Sequence, residues 1–222
     1  MNILILGSGG REHALAWAVQ QNPKCDRLWM APGNPGMAAL GECVAIDIED
    51  AAAILTFVQQ QEIDFVIIGP EAPLALGVSD ALRAADILSF GPSKAAAALE
   101  ASKNFTKQIC DAAKAPTAAY GHFSDAQSAK TYIAAQGAPI VVKADGLAGG
   151  KGVYVCNNPE QAEGIVDSIM VDKKFGKAGE RIIVEEFLRG QEMSFLVISD
   201  GRRAIPLVSA MDYKKIFDHD RG

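Results

Sequence analysis

Two runs of glycine and basic residues have the composition expected of phosphate-binding segments. The first, Gly7-Ser8-Gly9-Gly10-Arg11-Glu12-His13, follows an apolar strand-like run at 3–6 and opens a helical stretch. Glycines in such a turn let a ligand approach the backbone, and the free N–H groups at a helix N-terminus attract phosphate. Arg11 and His13 favour an anion site, because cations are otherwise unfavourable at that end of the helix dipole. The alternative is a tight strand-to-helix turn with no ligand.

A dinucleotide site is the obvious reading of this first loop, and the sequence disfavours it. The fingerprint requires G-x-G-x-x-G and an acidic residue that closes the second strand. Glu12 stands at the third glycine position, and the second strand ends in Ala31-Pro32-Gly33 without an acid. A nicotinamide-dependent oxidoreductase is therefore disfavoured.

The second run extends from Lys143 to Gly152 and reads KADGLAGGKG. A Walker A loop needs glycine where Asp145 stands, Ser or Thr in place of Gly152, and a following helix, whereas the next residues are strand-like. We predict instead a flexible hairpin whose N–H groups and Lys151 close over a polyphosphate. Lys143 lies among apolar neighbours, where an unpaired ammonium would be costly. The alternative is a glycine-rich surface turn.

Carboxylates follow a later apolar run, at Glu185, Glu186 and Glu192. They could bind adenosine hydroxyls or a metal, but taken alone they are typical of solvated surface charge. Other polar residues are uninformative by themselves: Lys103, Lys107, His122, Asp212, Lys214, Lys215 and His219.

Composition excludes several classes of protein. The 222 residues are 49% hydrophobic and 22% charged, an ordinary globular mixture. The net charge of −6 argues against a protein that coats nucleic acid. No apolar run approaches the ~20 residues of a membrane span, and the four scattered cysteines fit reduced thiols rather than a zinc site. We expect a cytoplasmic protein without nucleic-acid or membrane partners.

Alternating strand-like and helix-like segments are expected to position the first loop. They predict a parallel sheet wrapped by helices, the first helix placing Ala14, Trp17, Ala18 and Gln21 at helical spacing. The predicted strands are 3–6, 27–31, 43–47, 64–69 and 87–91, with helices at 11–21, 49–61 and 78–86 and a loop at 70–77.

The pattern changes after residue 93. One long alanine-rich helix over 94–113 leads to Pro116, which marks the start of a second unit. Two strands joined directly by the glycine turn indicate an antiparallel hairpin, so this half is predicted to be α+β. Its predicted strands are 120–123, 139–145, 153–157, 181–188, 192–199 and 203–213, with helices at 124–136 and 159–172.

Segments along the whole chain resemble the phosphoribosylamine–glycine ligase (glycinamide ribonucleotide synthetase) family of ATP-grasp enzymes. They are MNILILGSGGREHALAWA, APGNPG, IDFVIIGPEAPLALGVSDALR, FGPSKAAAALEASKNFTK, APIVVKADGLAGGKGV and IIVEEFLRGQEMSF. The resemblance implies an α/β fold: a Rossmann-like parallel-sheet domain at 1–100, then an incomplete α+β ATP-grasp domain at 101–222 with a flap at about 116–190.

The implied activity is the ATP-dependent ligation of glycine to 5-phosphoribosylamine in purine biosynthesis. Glycyl phosphate is the implied intermediate, and ATP with Mg²⁺ or Mn²⁺ the implied cofactors. The alternative is a non-catalytic ATP- or phosphate-binding module or fragment. The resemblance places the metal ligands beyond Gly222, so none is expected within the chain.

The resemblance also assigns roles to single residues. Lys151 and Lys214 would be catalytic. The phosphoribosylamine side would be bound by Gly9, Gly10, Arg11, Glu12, His13, Gly33, Asn34 and Glu71. ATP would be bound by Lys103, Lys143, Gly149, Gly150, Lys151, Gly152, Glu185, Glu186, Leu188 and Glu192. Departures from the family pattern are Gly149, where alanine is common, and Met211 and Tyr213, where Gln and His are usual.

Overall fold

The chain divides into two units, Met1–Glu186 and Phe187–Gly222, of which the computed structural model describes residues 1–211. The first unit contains two sheets, one parallel and one antiparallel. This is the predicted α/β class with an α+β second half.

The parallel sheet has five strands in the order β3-β2-β1-β4-β5. Residue Ile5 of β1 lies between Met30 of β2 and Ile67 of β4, and all three are buried. Helices cover both faces of this sheet, so most side chains along its central strands are buried and the strands are largely apolar runs. The strands are β1 (Asn2–Gly7), β2 (Arg27–Pro32), β3 (Glu42–Cys43), β4 (Phe65–Ile68) and β5 (Leu88–Phe90).

Helices cover this sheet on both faces, and α1 presents a different side from the one its sequence indicates. The predicted Trp17 side is exposed, whereas Glu12 and Ala16 are buried. Apolar residues occupy both sides of α1, so periodicity alone could not choose between them. The helices are α1 (Gly10–Gln20), α2 (Ala51–Gln60), α3 (Glu71–Leu76), α4 (Val78–Ala84) and α5 (Lys94–Ala101), with a 3₁₀ turn at Met37–Ala39.

Three segments differ from prediction. The predicted loop 70–77 contains α3, since Pro73 lies in its first turn, where a missing N–H costs nothing. The predicted helix 94–113 is broken at Ser102, whose extended backbone (φ −136°) and hydroxyl cap a separate helix, α6 (Lys103–Ala113). The predicted strand 43–47 ends early, because the Ile46 N–H turns back to bond the Val44 carbonyl.

The antiparallel sheet has four strands in the order β6-β9-β7-β8. Strands β7 and β8 form the predicted hairpin around the glycine turn. Helices α7 and α8 cover one face, where Val142 and Val184 belong to the core. The elements are β6 (Tyr120–Phe123), α7 (Ala126–Gln136), β7 (Ile140–Ala144), β8 (Val153–Cys156), α8 (Pro159–Val166) with a π-helical turn at Asp167–Val171, a 3₁₀ turn at Gly176–Gly179, and β9 (Ile182–Glu186).

The second unit, within its described part, contains a short hairpin, β10 (Val197–Ser199) and β11 (Ala204–Pro206). Asp200 closes the turn by accepting hydrogen bonds from the Arg202 and Arg203 N–H groups, at 2.8 and 2.7 Å. The strands are shorter than predicted. Throughout residues 1–211, no helix has the length and apolar character needed to cross a membrane.

Candidate functional site

The first candidate site lies at the carboxyl edge of the parallel sheet, beyond β1. The chain runs from β1 to β2 on one side and later reaches β4 on the other, so β1 adjoins the point where the strand order reverses. Open α/β sheets bind their ligands in the crevice at such a point. The Asn34 Nδ2 donates to the Ser8 carbonyl at 2.9 Å, which joins the loops after β1 and β2. The structure thus brings together the predicted loop residues.

Glu12 lies beneath the first loop and is buried. Its Oε2 accepts a 2.8 Å hydrogen bond from the Gly9 N–H, which caps α1. A Cβ built on Gly7 or Gly69 would lie within 2.5 Å of the Glu12 side chain, so these two glycines leave the space that Glu12 fills. A carboxylate already occupies an amide that a dinucleotide pyrophosphate would need, which agrees with the disfavoured dinucleotide interpretation. Glu12 is placed to act on a ligand through the backbone of this loop.

Arg11 is held between two carboxylates at the mouth of the same site. Its Nε lies 2.9 Å from Glu12 Oε1, and its Nη1 lies 3.4 Å from Glu71 Oε1. The hydrogen bond to Glu12 raises the pKa of Arg11, partly opposed by desolvation. The guanidinium remains partly exposed, so an incoming anion can replace Glu71 as its second partner.

Asn34 and His13 hold the neighbouring loop after β2. The Asn34 Oδ1 accepts hydrogen bonds from the N–H groups of Gly36 and Met37, at 2.9 and 3.0 Å. A Cβ on Gly36 would lie 2.4 Å from His13 Cε1, so the imidazole packs directly on this backbone. Gly33 has a φ of +69°, which glycine adopts without strain.

The second candidate site is built on the face of the antiparallel sheet opposite α7 and α8, which Lys107 of α6 covers in part. We call this the Lys143 face; it consists of Val141, Lys143, Val153, Val155, Ile183 and Glu185. The Lys143 Nζ lies 2.6 Å from Glu185 Oε2, and Glu185 is 7% exposed. The sequence interpretation of Glu185 as solvated charge is wrong. Val153 and Val155, each 47% exposed, provide an apolar surface beside the lysine.

Lys107 is the residue that sequence reasoning missed. It lies on α6, is 6% exposed, and brings its Nζ within 3.3 Å of Glu185 Oε1. The available signal was its position four residues after Lys103, which puts both ammonium groups on one side of a helix. Its carboxylate partner comes from β9, far along the chain, and could not be named from local pattern.

Asp145 joins the root of the glycine hairpin to α6. This buried carboxylate accepts 2.8 Å and 3.2 Å hydrogen bonds from the Asn104 N–H and the Ser102 hydroxyl. The Lys103 Nζ in turn donates to the Gly146 carbonyl at 3.2 Å. Desolvation lowers the pKa of Lys103, opposed by Asp145 and assisted by nearby Lys143. Such an ammonium gains most from a further anion.

The hairpin itself is anchored at its root and open at its tip. A Cβ on Gly146 would lie 2.8 Å from the Ala178 Cα, and one on Gly152 would lie 2.8 Å from the Ala148 Cβ. Gly149 and Gly150 have φ values of +57° and +74°, and a Cβ on either would meet nothing within 4 Å. Lys151 is exposed beside them, so the tip is free to rearrange around a ligand.

The remaining predicted residues are not all brought to the Lys143 face. Alternation along β9 places Glu186 on the opposite face from Glu185, where it lines a pocket with Tyr132. Leu188 and Glu192 belong to the second unit, where Leu188 is exposed. Lys214 lies outside the described residues. Within 1–211 no group of three or more His, Cys, Asp or Glu side chains could hold a metal ion.

Comparison with known families identifies the class to which this fold and site belong. Residues 101–222 match the family model described as phosphoribosylglycinamide synthetase, ATP-grasp (A) domain. Residues 1–100 match phosphoribosylglycinamide synthetase, N domain. The chain therefore belongs to the phosphoribosylglycinamide synthetase family of ATP-grasp proteins. The resemblance read from the sequence is confirmed.

Individual relatives agree with this assignment. The phosphoribosylamine–glycine ligases of Agrobacterium fabrum and Mesorhizobium japonicum are 53% and 52% identical over 222 residues, covering 100% of this chain and 52% of each relative. The crystal structure of the ligase from Thermotoga maritima has a TM-score of 0.84 at 29% identity, covering 100% of this chain and 53% of that one. The chain thus spans about half the length of the curated relatives it matches.

A more distant solved structure shares the fold alone. It is an ADP complex of N5-carboxyaminoimidazole ribonucleotide synthetase, with a TM-score of 0.67 at 20% identity. The match covers 99% of this chain and 55% of that one.

Proposed function

We propose that this chain supplies the nucleotide-binding face and the amine-substrate loops of a phosphoribosylamine–glycine ligase, an enzyme of purine biosynthesis acting in the cytoplasm. The reaction joins glycine to 5-phosphoribosylamine and converts ATP to ADP and phosphate. The observation that carries the proposal is the cluster of Lys103 and Lys143 at the root of an open glycine hairpin bearing Lys151. Relatives that are 53% and 52% identical are named phosphoribosylamine–glycine ligase, which supports the same activity.

ATP is proposed to bind along the Lys143 face. Lys103 and Lys143 contact its phosphates, while Val153 and Val155 offer the exposed apolar surface that a flat base requires. The Glu185 carboxylate is engaged by two lysines and its backbone is paired with β6 and β7, so Glu185 is proposed to serve the nucleotide site through those lysines. Roles for Glu186, Leu188 and Glu192 at the base and ribose remain proposals from the family resemblance.

The hairpin is proposed to close over the phosphates. Gly149, Gly150 and Gly152 allow the backbone to approach, and Lys151 brings its ammonium to the transferring phosphate. The glycine carboxylate attacks this phosphate and ADP leaves. Closure also excludes water, which would otherwise hydrolyse the resulting acyl phosphate.

Phosphoribosylamine is proposed to bind at the first site. The Gly10 N–H and the Arg11 guanidinium face its phosphate, with Gly9, His13 and Gly33 shaping the crevice. Asn34, Glu71 and the buried Glu12 order the surrounding loops. The phosphoribosylamine nitrogen then attacks the glycyl carbonyl, and phosphate leaves to give glycinamide ribonucleotide.

Mg²⁺ or Mn²⁺ is the metal proposed from the family resemblance. The residues described at 1–211 do not form a site that fits it, so no step is assigned to the metal. From the family resemblance we also propose domain limits of 1–100 and 101–222, a flap at about 116–190, and a catalytic role for Lys214.

A second candidate is a non-catalytic ATP- or phosphate-binding module, favoured by the lack of a metal-binding cluster within 1–211. Phosphate release that requires ATP, glycine and phosphoribosylamine distinguishes the two. We would assay the 222-residue chain and a fusion of it to the remaining half of the Agrobacterium fabrum relative. Turnover by the fusion that is lost on Lys151→Ala supports the ligase. ATP binding without turnover in either protein supports the module, and binding of neither ATP nor phosphate overturns both.

A further inference from the structure

Lys107 occupies an unusual position for a lysine, because its ammonium is enclosed by protein. The Nζ donates to Thr117 Oγ1 at 2.7 Å and to the Ala118 carbonyl at 3.1 Å, and it lies 3.3 Å from Glu185 Oε1. The Tyr120 ring covers the same ammonium, with its centroid 5.1 Å away. Burying an ammonium is costly unless it is fully compensated. Lys107 is therefore held in one place and has no route to a bound ligand.

Glu185 is shared unequally by two lysines. Lys107 approaches one carboxylate oxygen and Lys143 the other. The Lys107 side chain is 8% exposed, whereas that of Lys143 is 25% exposed. One carboxylate against two ammonium groups leaves one excess positive charge. Among the described residues, this trio is most open at Lys143. Without Lys107, Lys143 and Glu185 would form a neutral pair.

We infer that Lys107 is a positioning residue for Lys143, balancing Glu185 so that the Lys143 charge remains available to the phosphates of a nucleoside triphosphate. The inference rests on the proposed nucleotide site and assigns a role to a residue outside it. Helix α6 is fixed at its N-terminus by Asp145, so Lys103 and Lys107 are presented from one rigid element. The Lys103 ammonium donates to the Gly146 carbonyl at the root of the hairpin, and the Lys107 ammonium pairs with the Glu185 carboxylate.

If Lys107 acts through its charge, its loss should weaken binding of a charged nucleotide more than binding of an uncharged nucleoside. A purely structural lysine would affect both ligands equally. Lys107→Met should weaken ATP binding about tenfold, because an excess charge near the phosphates is lost, and leave adenosine binding within about twofold. The double variant Lys107→Met with Glu185→Gln restores the excess charge, so its ATP affinity should return to within about threefold of the unmodified chain. Lys107→Arg keeps the charge and should retain most of the ATP affinity.

The experiment is calorimetric titration of the 222-residue chain and its variants with ATP and with adenosine, alongside thermal melting. Lys130→Met is the matched control. Lys130 lies on α7, which covers the opposite face of the sheet, and its Nζ is 2.7 Å from Asp167 Oδ2. The substitution therefore removes a lysine ion pair that is remote from the Lys143 face. This control should leave both affinities unchanged.

Three results would overturn the inference. They are an equal loss of ATP and adenosine affinity in Lys107→Met, no recovery in the double variant, or no change in ATP affinity. If Lys107→Met does not fold, Glu185→Gln alone decides: it raises the excess charge, so ATP should bind more tightly while adenosine does not, and weaker ATP binding overturns the inference. No ATP binding by the unmodified chain would overturn the proposed nucleotide site and this inference together. ATP binding with an unaffected ATP-to-adenosine ratio in Lys107→Met overturns the inference alone.

Discussion

The Asp145 carboxylate accepts a 2.8 Å hydrogen bond from the backbone N–H of Asn104, a residue 41 positions earlier in the chain. The first turn of α6 is thus capped by a side chain from the root of the glycine hairpin. Helix N-termini leave N–H groups without partners, and a carboxylate that satisfies them stabilises the helix. The same contact ties Lys103 to the segment that carries Lys151.

Asp145→Ala should lower both stability and nucleotide affinity. Loss of a buried cap costs about 1–3 kcal/mol of the free energy of unfolding. It also removes the side-chain bonds that join α6, which carries Lys103, to the root of the hairpin. Thermal melting and ATP titration measure the two effects. Asp50→Ala removes the cap of α2 in the parallel-sheet part and should reduce stability without changing ATP affinity. An Asp145→Ala protein that binds ATP normally would contradict the proposed link.

Lys151→Ala should abolish most of the turnover of the ligase while moving the melting temperature by only about one or two degrees. An exposed loop lysine contributes little to folding, but a mobile hairpin needs its charge on the phosphates. Lys143→Ala should change both stability and activity, since it leaves Glu185 with one partner fewer. The fusion protein described above serves for both measurements. Near-normal turnover of Lys151→Ala would mean that the hairpin is a surface turn.

Arg11→Ala should weaken binding of phosphoribosylamine or its product about tenfold to a hundredfold and leave ATP binding nearly unchanged. A charge-assisted bond to phosphate contributes about 1.5–3 kcal/mol. Titration with each ligand makes the comparison. Arg83→Ala, which breaks an exposed ion pair with Asp80, is the control and should affect neither ligand. Equal loss of both affinities in Arg11→Ala would indicate damage to the fold instead.

The lowered pKa of Lys103 predicts a specific pH dependence. Burial disfavours its charged form, so the folded state binds fewer protons than the unfolded state at pH values between the lowered pKa and the ordinary 10.5. Stability contributed by this group therefore rises with pH through that window. The melting temperature of Lys103→Met minus that of the unmodified chain should fall as pH rises from neutral towards 10. A difference that stays constant with pH would contradict the assignment.

Binding of ATP should reverse the effect on Lys103. Phosphates beside the ammonium favour its charged form, so complex formation at alkaline pH should take up a proton. Titration calorimetry in buffers of different ionisation enthalpy measures this uptake. The Lys103→Met protein should show less of it.

Local pattern was enough to predict much of the architecture. The apolar run of β1, the helix predicted over 49–61 and observed at Ala51–Gln60, and the β7–β8 hairpin depend on neighbours within a few residues. The alternation of strands and helices along the chain was enough to predict the parallel sheet, since a strand, a crossover helix and the next strand normally form a right-handed parallel unit. Local pattern failed at Ser102, which lies inside an alanine-rich run predicted as one helix but acts as the N-cap of a second helix.

The sequence by itself determined which segments could bind phosphate: a glycine loop opening α1, and a hairpin with a lysine at its root and another at its tip. Only the tertiary structure decided which charges meet. Glu185 looks like surface charge beside Glu186, yet pairing of β7 with β9 buries it against Lys143 and brings Lys107 to its other oxygen. The reason is physical: the free energy of a charge depends on its surroundings, and these come from strands and helices distant in sequence.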